Sequence, residues 1–270
     1  MEAGTQLERA YRRTAQDEID DFVRLREVSL TFDSGTRALE SVSLTLKRGE
    51  FVSVVGPSGC GKSSLLRLVA GLTPVTSGEL KSRPAQQQDC GFVFQDPTLM
   101  PWASVFDNVW LPLRLRGTAR ETAQQKILPL LESVGLAEFA EALPAELSGG
   151  MRMRASIARA LSAEPQLLLM DEPFAALDEY TRQRLNVELL QWWRARSLGV
   201  LFVTHSVSEA VFLSQRVVLM SSRPGRVLQV MEVPFAYPRS RELRDSAEFI
   251  ALGRQINAAL QADRDTGEGG

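Results

Sequence analysis

The sequence predicts an α/β domain built on a mostly parallel sheet, with antiparallel strands at its amino-terminal end and a helical segment inserted into it. Three observations carry this. Phe51-Val52-Ser53-Val54-Val55, Leu167-Leu168-Leu169-Met170 and Val200 to Thr204 are short, nearly all-apolar runs, as strands covered on both faces must be. Helical patterning follows the first run, in Lys62 to Leu72, and precedes the third, in Thr181 to Ser197, so the two element types alternate. Residues 97–163 differ from both, being helical in pattern with no convincing strand.

In chain order, residues 1–21 are polar and mixed in charge and read as a frayed or weakly helical lead-in. The domain proper is expected over 22–255. From Phe22, apolar residues alternate along FVRLREVSLTF and SVSLTLKRG, the pattern of half-exposed antiparallel strands. FVSVV then leads into a glycine-rich loop and a helix that Gly71 ends. CGFVFQ reads as a further buried strand. Within 97–163, breaks are expected at Pro112, Gly117, Pro129, Gly135 and Pro144. RVVLM and RVLQVMEV form two strands around Pro224-Gly225, and residues 256–270 read as a disordered tail.

The chain of 270 residues is 44% hydrophobic and 24% charged, ordinary usage for a globular protein. A net charge of −2 supplies no basic field for a phosphate backbone, which argues against nucleic acid as partner. Two cysteines, Cys60 and Cys90, make no disulfide framework. No stretch approaches the roughly 20 apolar residues of a membrane span, and the first twenty residues lack the apolar centre of a secretory signal. A cytosolic protein is expected, one that would serve a membrane only by docking on another chain.

The sharpest motif is Gly56-Pro57-Ser58-Gly59-Cys60-Gly61-Lys62-Ser63, followed by Ser64, which satisfies G-x-x-x-x-G-K-[ST] between a buried strand and a helix. Glycines let consecutive N–H groups curl around phosphates, and the helix N-terminus adds positive potential. Lys62 is expected to reach the β- and γ-phosphates of ATP and Ser63 to coordinate Mg²⁺. A glycine-rich turn with a solvated lysine is the plainer reading, but it leaves the coincidence of strand, loop and helix unexplained. Cys60 is either a thiol activated by the helix N-terminus or merely a small residue at a tolerant position.

The strand ending in Met170 delivers Asp171 and Glu172 to the edge where open α/β sheets bind ligands. Asp171 suits a Mg²⁺ role and Glu172 the polarisation of an attacking water. Together with the phosphate loop these residues define a P-loop NTPase. Leu147-Ser148-Gly149-Gly150-Met151 narrows the class. Ser148 is a plausible helix N-cap, yet two glycines after it are unfavourable unless something approaches the backbone closely.

On these motifs the chain resembles the ATP-binding cassette (ABC) family, whose signature LSGGQ precedes a basic, apolar helix. The resemblance runs from about Val23 to Val233. It implies adenine stacking on Phe32, contact of Gln95 with Mg²⁺ and with the transporter, an interface-crossing loop at Ala176-Leu177-Asp178, and a γ-phosphate switch at His205, the only histidine. Phe32 also fits a core strand position. Met151 and Met153 depart from the family's glutamines. The resemblance further implies a head-to-tail dimer, in which Ser148-Gly149-Gly150 contact ATP held by the other copy.

The expected role is the ATPase subunit of an importer at the cytoplasmic face of the membrane. Separate permease subunits would be its direct partners and a solute-binding protein an indirect one. In the family, the segment after Gln95 forms a groove for a helix of the membrane protein, to which Trp102, Phe106 and Trp110 could contribute; packing of the insertion explains them equally well. Pro101-Trp102, Asp107-Asn108-Val109 and Ser221-Ser222-Arg223-Pro224-Gly225-Arg226 look most like the branch that imports nitrate, taurine, alkanesulfonates and thiamine precursors. A soluble ABC ATPase uncoupled from transport is the alternative. The absence of sustained heptads between Lys62 and Ser148 argues against a chromosome-type member, and a single cassette argues against a translation-type one.

Overall fold

The computed structural model describes residues 21–83 and 89–267. The expected lead-in (all but Asp21) and residues 268–270 of the expected tail lie outside the described residues. Strands β1 (Asp21–Thr31) and β2 (Arg37–Lys47) form an antiparallel pair, and β4 (Ser77–Ser82) adds to the free side of β1. The second sheet has the order β5-β6-β7-β3-β8-β9, with β3 (Phe51–Val55), β5 (Cys90–Val93), β6 (Leu167–Asp171), β7 (Gly199–Thr204), β8 (Arg216–Met220) and β9 (Val227–Glu232). Its first five strands are parallel and β9 returns antiparallel to β8.

Why the central strands read as unbroken apolar runs is visible in the core. Phe51 and Val55 of β3, Leu168 and Met170 of β6, and Val200 and Phe202 of β7 enter one hydrophobic cluster. Their neighbours Val52, Val54, Leu167, Leu169, Leu201 and Val203 enter another. Side chains alternate across a strand, so both faces of this sheet are covered. The second cluster packs against the antiparallel sheet and helix α1 (Lys62–Val69). The first packs against the helical insertion, α5 (Glu179–Arg196) and α6 (Val207–Leu213).

The insertion holds α2 (Val105–Leu115), α3 (Arg120–Ser133), two short 3₁₀ turns and α4 (Gly149–Ser162). Gly117 and Gly135, at φ of 80° and 69°, end helices as expected. Pro112 and Pro129 do not break theirs. Each lacks one N–H, but Val105, Phe106, Val109 and Leu113 of α2, and Ala123, Ile127, Leu130 and Leu131 of α3, are buried on packed faces that hold the helix through the proline.

The tail is a second correction. Helix α7 runs from Ala247 to Gly267. Its own Phe249 and Ile256 are buried, and Asp263 accepts the Ser222 N–H at 3.0 Å, so these residues are tied to the domain rather than loose. Strand β4, which the sequence pattern does not reveal, has no buried residue. It is held by its backbone ladder to β1.

Candidate active site

Parallel pairing decides where the chemistry collects. Val55 lies opposite Thr204 and Leu219, Asp171 opposite Val203, and Val93 opposite Met170. The segments that follow these strand ends, namely the phosphate loop, Glu172, His205, Gln95 and the β8–β9 turn, therefore emerge at one edge of the sheet. A cavity of about 320 Å³ lies there, lined by Phe32, Ser58, Lys62, Gln95, Glu172 and Arg223 among others.

Gly61, at φ 101°, turns the phosphate loop into α1. Lys62 is buried, and its Nζ donates to the carbonyls of Gly56 and Pro57 at 2.9 and 2.8 Å. The same ammonium lies 3.8 Å from Glu172 Oε1, whose other oxygen is 3.1 Å from His205 Nδ1. Cation, carboxylate and imidazole thus stand in sequence, with Lys62 and Glu172 on the cavity wall and His205 behind Glu172. Glu172 has φ 45°, a left-handed conformation unfavourable for a side chain of this size, and its N–H donates to the Val203 carbonyl. Strain of this kind, held by surrounding structure, is typical of functional positions.

Ser63 Oγ donates to Asp171 Oδ1 at 3.0 Å. Burial pushes the Asp171 carboxyl above its ordinary value, against the Ser63 bond that favours its charge. The Ser63 hydroxyl and Gln95 on the cavity wall, with the desolvated Asp171 carboxylate bonded to that hydroxyl, make a small set of hard oxygen donors. That set fits Mg²⁺ sharing its coordination with phosphate oxygens. Phe32 closes the far lip. It is 41% exposed, so it is not a core strand residue, and the β1–β2 turn fixes it through Phe32 N–H to Thr36 O and Gly35 N–H to Phe32 O. Cys60 is buried and desolvation pushes its thiol up, which argues against an activated thiol; its Sγ would lie 3.0 Å from a Cβ on Gly56, so the position is crowded rather than tolerant.

Two residues beside this site were not singled out from the sequence. Glu209, buried in α6, takes a 2.5 Å bond from Thr204 Oγ1, and Thr204 Oγ1 in turn accepts the Ser206 N–H. Arg182 of α5 lies 3.8 Å from Glu209 and donates to the Leu177 carbonyl. The His205 turn is thereby joined to the turn that carries Asp178. The readable signal was Ser206-x-x-Glu209, a capping-box spacing. Ser206 does cap Glu209 N–H, but the Glu209 carboxylate turns to Thr204.

Ser148, Gly149, Gly150 and Asp178 do not line the cavity. Ser148 caps α4, accepting the Met151 N–H, and Asp178 caps α5, accepting the Thr181 N–H. Both helix N-termini are solvent-facing and adjacent. A Cβ on Gly150 would come 2.8 Å from Thr181 Cγ2, so this glycine answers to packing within the chain, whereas Gly149 meets nothing closer than 3.7 Å. Met153 is a buried core residue of α4.

The aromatic residues after Gln95 divide. Phe106 is buried core, Trp110 is half-buried with its indole N–H on the Thr118 carbonyl, and Trp102 is exposed. None lines the larger groove of about 530 Å³ between β5 and α2, whose apolar walls come from Phe92, Phe94, Leu111 and Leu115. Asn108, fully buried, binds the backbone of Met100, Ala103 and Ser104 and shapes the turn before α2. From α4, Arg159 donates to the carbonyls of Pro97 and Thr98 just beyond Gln95.

Residues 39–175 match the family described as ABC transporter. The taurine import ATP-binding protein TauB of Rhizobium johnstonii is 44% identical over 237 residues, 84% of this chain and 90% of that protein. The aliphatic sulfonates import ATP-binding protein SsuB of Bacillus cereus is 41% identical over 243 residues, covering 87% and 94%. A solved dimeric ATP-binding cassette in a post-hydrolysis state with ADP and Pi superposes with a TM-score of 0.70 at 32% identity, covering 79% of this chain and all of that one.

Proposed function

The chain belongs to the ABC transporter family, and from that premise we propose that it is the ATP-hydrolysing subunit of an importer for small sulfonate-type solutes such as taurine or alkanesulfonates. The observation that carries the catalytic part is the convergence of Lys62, Ser63, Asp171, Glu172 and His205 on one sheet edge beside one cavity. Nitrate and thiamine precursors belong to the same expected cargo range, and the similarity to taurine and sulfonate import subunits favours sulfonates within it.

In this reading ATP enters with adenine on Phe32 and its phosphates on the loop Gly56 to Ser63, extended by Ser64. The N–H groups of the loop and the N-terminus of α1 hold the phosphate oxygens, and Lys62 exchanges its two backbone carbonyls for them. Ser63, Asp171 and Gln95 would hold Mg²⁺, which supplies charge neutralisation to the transferring phosphoryl group. Glu172 accepts a proton from, and orients, the attacking water. His205, anchored to Glu172, donates to the γ-phosphate. Ser148-Gly149-Gly150 and Asp178 face outward and serve the nucleotide of a second copy in a head-to-tail dimer.

Among the described residues no helix is long and apolar enough to cross a membrane. Permease subunits are the proposed direct partners, received at the groove of Phe92, Phe94, Leu111 and Leu115, at the cytoplasmic face. A solute-binding protein acts further upstream. The test is the assembled transporter in liposomes loaded with ATP. Uptake of labelled taurine or an alkanesulfonate, with turnover abolished by Lys62→Ala, is the expected result. Near-normal hydrolysis in that variant would overturn the catalytic assignment, and hydrolysis unaffected by any sulfonate would overturn the cargo.

A further inference from the structure

The β8–β9 turn reaches over the phosphate loop and carries a cation that the scheme above leaves unused. Arg223 lines the same cavity as Lys62 and Ser63, and its Nε and Nη2 both donate to the Gly59 carbonyl, at 3.2 and 3.0 Å. The turn is held in place from several sides. Gly225 N–H donates to Ala38 O and Glu40 N–H to Gly225 O, joining it to β2. Ser221 Oγ accepts the Arg226 N–H, and the Arg226 guanidinium pairs with Glu40. From the other end of the chain, Asp263 of α7 accepts the Ser222 N–H. A Cβ on Gly225 would lie 2.0 Å from the Cys60 carbonyl oxygen, a measure of how closely the turn is pressed on the phosphate loop.

A surface turn so firmly fixed presents its arginine to one place. A guanidinium offers five N–H donors in a rigid fork, and a single carbonyl oxygen occupies only two of them here. The side chain is solvent-accessible at the cavity lip, where a phosphate chain lying on the loop would pass.

We propose that Arg223 is a nucleotide-binding residue, a second cation beside Lys62 that contacts the polyphosphate of ATP and ADP from the outer side of the phosphate loop. This rests on the reading of the cavity as the nucleotide site. Calorimetric titration of the full chain with Mg·ADP and, separately, with inorganic tripolyphosphate separates the two claims. Arg223→Ala is expected to weaken both ligands about tenfold, the loss of one charge-assisted contact. Arg223→Lys, which keeps the charge without the fork, is expected to recover part of that loss. Arg223→Gln keeps a donor for the Gly59 carbonyl but no charge, and is expected to bind as weakly as the alanine variant.

Wild-type affinity in Arg223→Gln would make the residue a brace for Gly59 and overturn the proposal. So would loss of ADP affinity with tripolyphosphate affinity intact, which would move the contact to base or ribose. If Lys62→Ala abolishes binding while Arg223→Ala leaves it unchanged, the nucleotide site stands and the Arg223 assignment falls. If Lys62→Ala leaves binding unchanged, the cavity reading itself falls.

Discussion

Two helix N-termini in this molecule have similar sequences around them and opposite surroundings. At α1, a glycine-rich loop opens onto a cavity walled by Lys62, Ser63 and Glu172, with Asp171 and His205 bonded to Ser63 and Glu172, all from the same chain. At α4, Ser148 and two glycines open onto solvent, with the Asp178 turn as neighbour. One N-terminus has a complete set of catalytic partners, and the other has the same affinity for anions and nothing to react with. Under the proposed function the difference gives them separate duties: the first would hold its own substrate, the second would complete the site of another copy.

The largest expected effect comes from the first region. Glu172→Gln keeps shape but cannot accept a proton, and turnover is expected to fall by about 10²- to 10⁴-fold while ATP still binds. Size-exclusion chromatography with Mg·ATP should then show a closed dimer accumulating. A variant that binds ATP and stays monomeric would break the comparison at its first term.

Ser148→Arg probes the second region. It is expected to reduce turnover by about 10²-fold, the scale of losing transition-state donors, with nucleotide affinity of the isolated chain unchanged. Equal loss of affinity in the monomer would mean that α4 serves the nucleotide of its own chain.

Gly150→Ala sharpens the contrast between the two signature glycines. The added carbon would crowd Thr181, so destabilisation of about 1–3 kcal/mol is expected by urea denaturation. Gly149→Ala has room for its Cβ and is expected to be milder. Equal effects would remove the packing account.

The smallest expected effect concerns Glu209. Burial raises its carboxyl above the ordinary glutamate value, with the Thr204 hydrogen bond and then Arg182, His205 and Arg244 pulling the other way. The folded state therefore holds this proton more tightly than the unfolded chain does. Its contribution to stability falls as pH rises from about 4.5 through the folded value. Glu209→Gln should remove that slope, so the variant gains on the wild type as pH rises above about 4.5 in urea titrations. A pH-independent difference would show that the carboxyl does not titrate differently on folding.

What the sequence made legible follows from where the constraint lies. Strands β3, β6 and β7 are buried on both faces, so their composition had almost no freedom, and the acids and histidine at their ends were readable with them. β4 was invisible because none of its side chains is fully buried and only the half-buried Leu80 packs on the core cluster beside its backbone ladder to β1. Pro112 and Pro129 misled because local breaking tendency was overridden by packed faces. The helical end of α7 misled because polar composition conceals the anchoring of Phe249, Ile256 and Asp263. Trp102, Phe106 and Trp110 could not be sorted from sequence, since burial of Phe106 and Trp110 depends on which side of α2 meets the rest of the insertion, and Trp102 lies in the turn before that helix. Glu209 with Arg182, and Arg223 with Gly59, are partners far apart in the chain, and no local pattern encodes such a meeting.

The Arg159 bonds to Pro97 and Thr98 give α4 a mechanical character. Ser148 stands at one end of this helix, and the arginine fastens its other end to the backbone just past Gln95. The span between them is about 16 Å at 1.5 Å per residue. Pivoting the helix by about 10° around the arginine would swing Ser148 through about 3 Å, comparable to the length of one hydrogen bond. Movement too slight to disturb the fold at the groove is enough to make or break a contact at the far tip, and α4 would in that sense be a crank with its bearing beside the proposed docking groove.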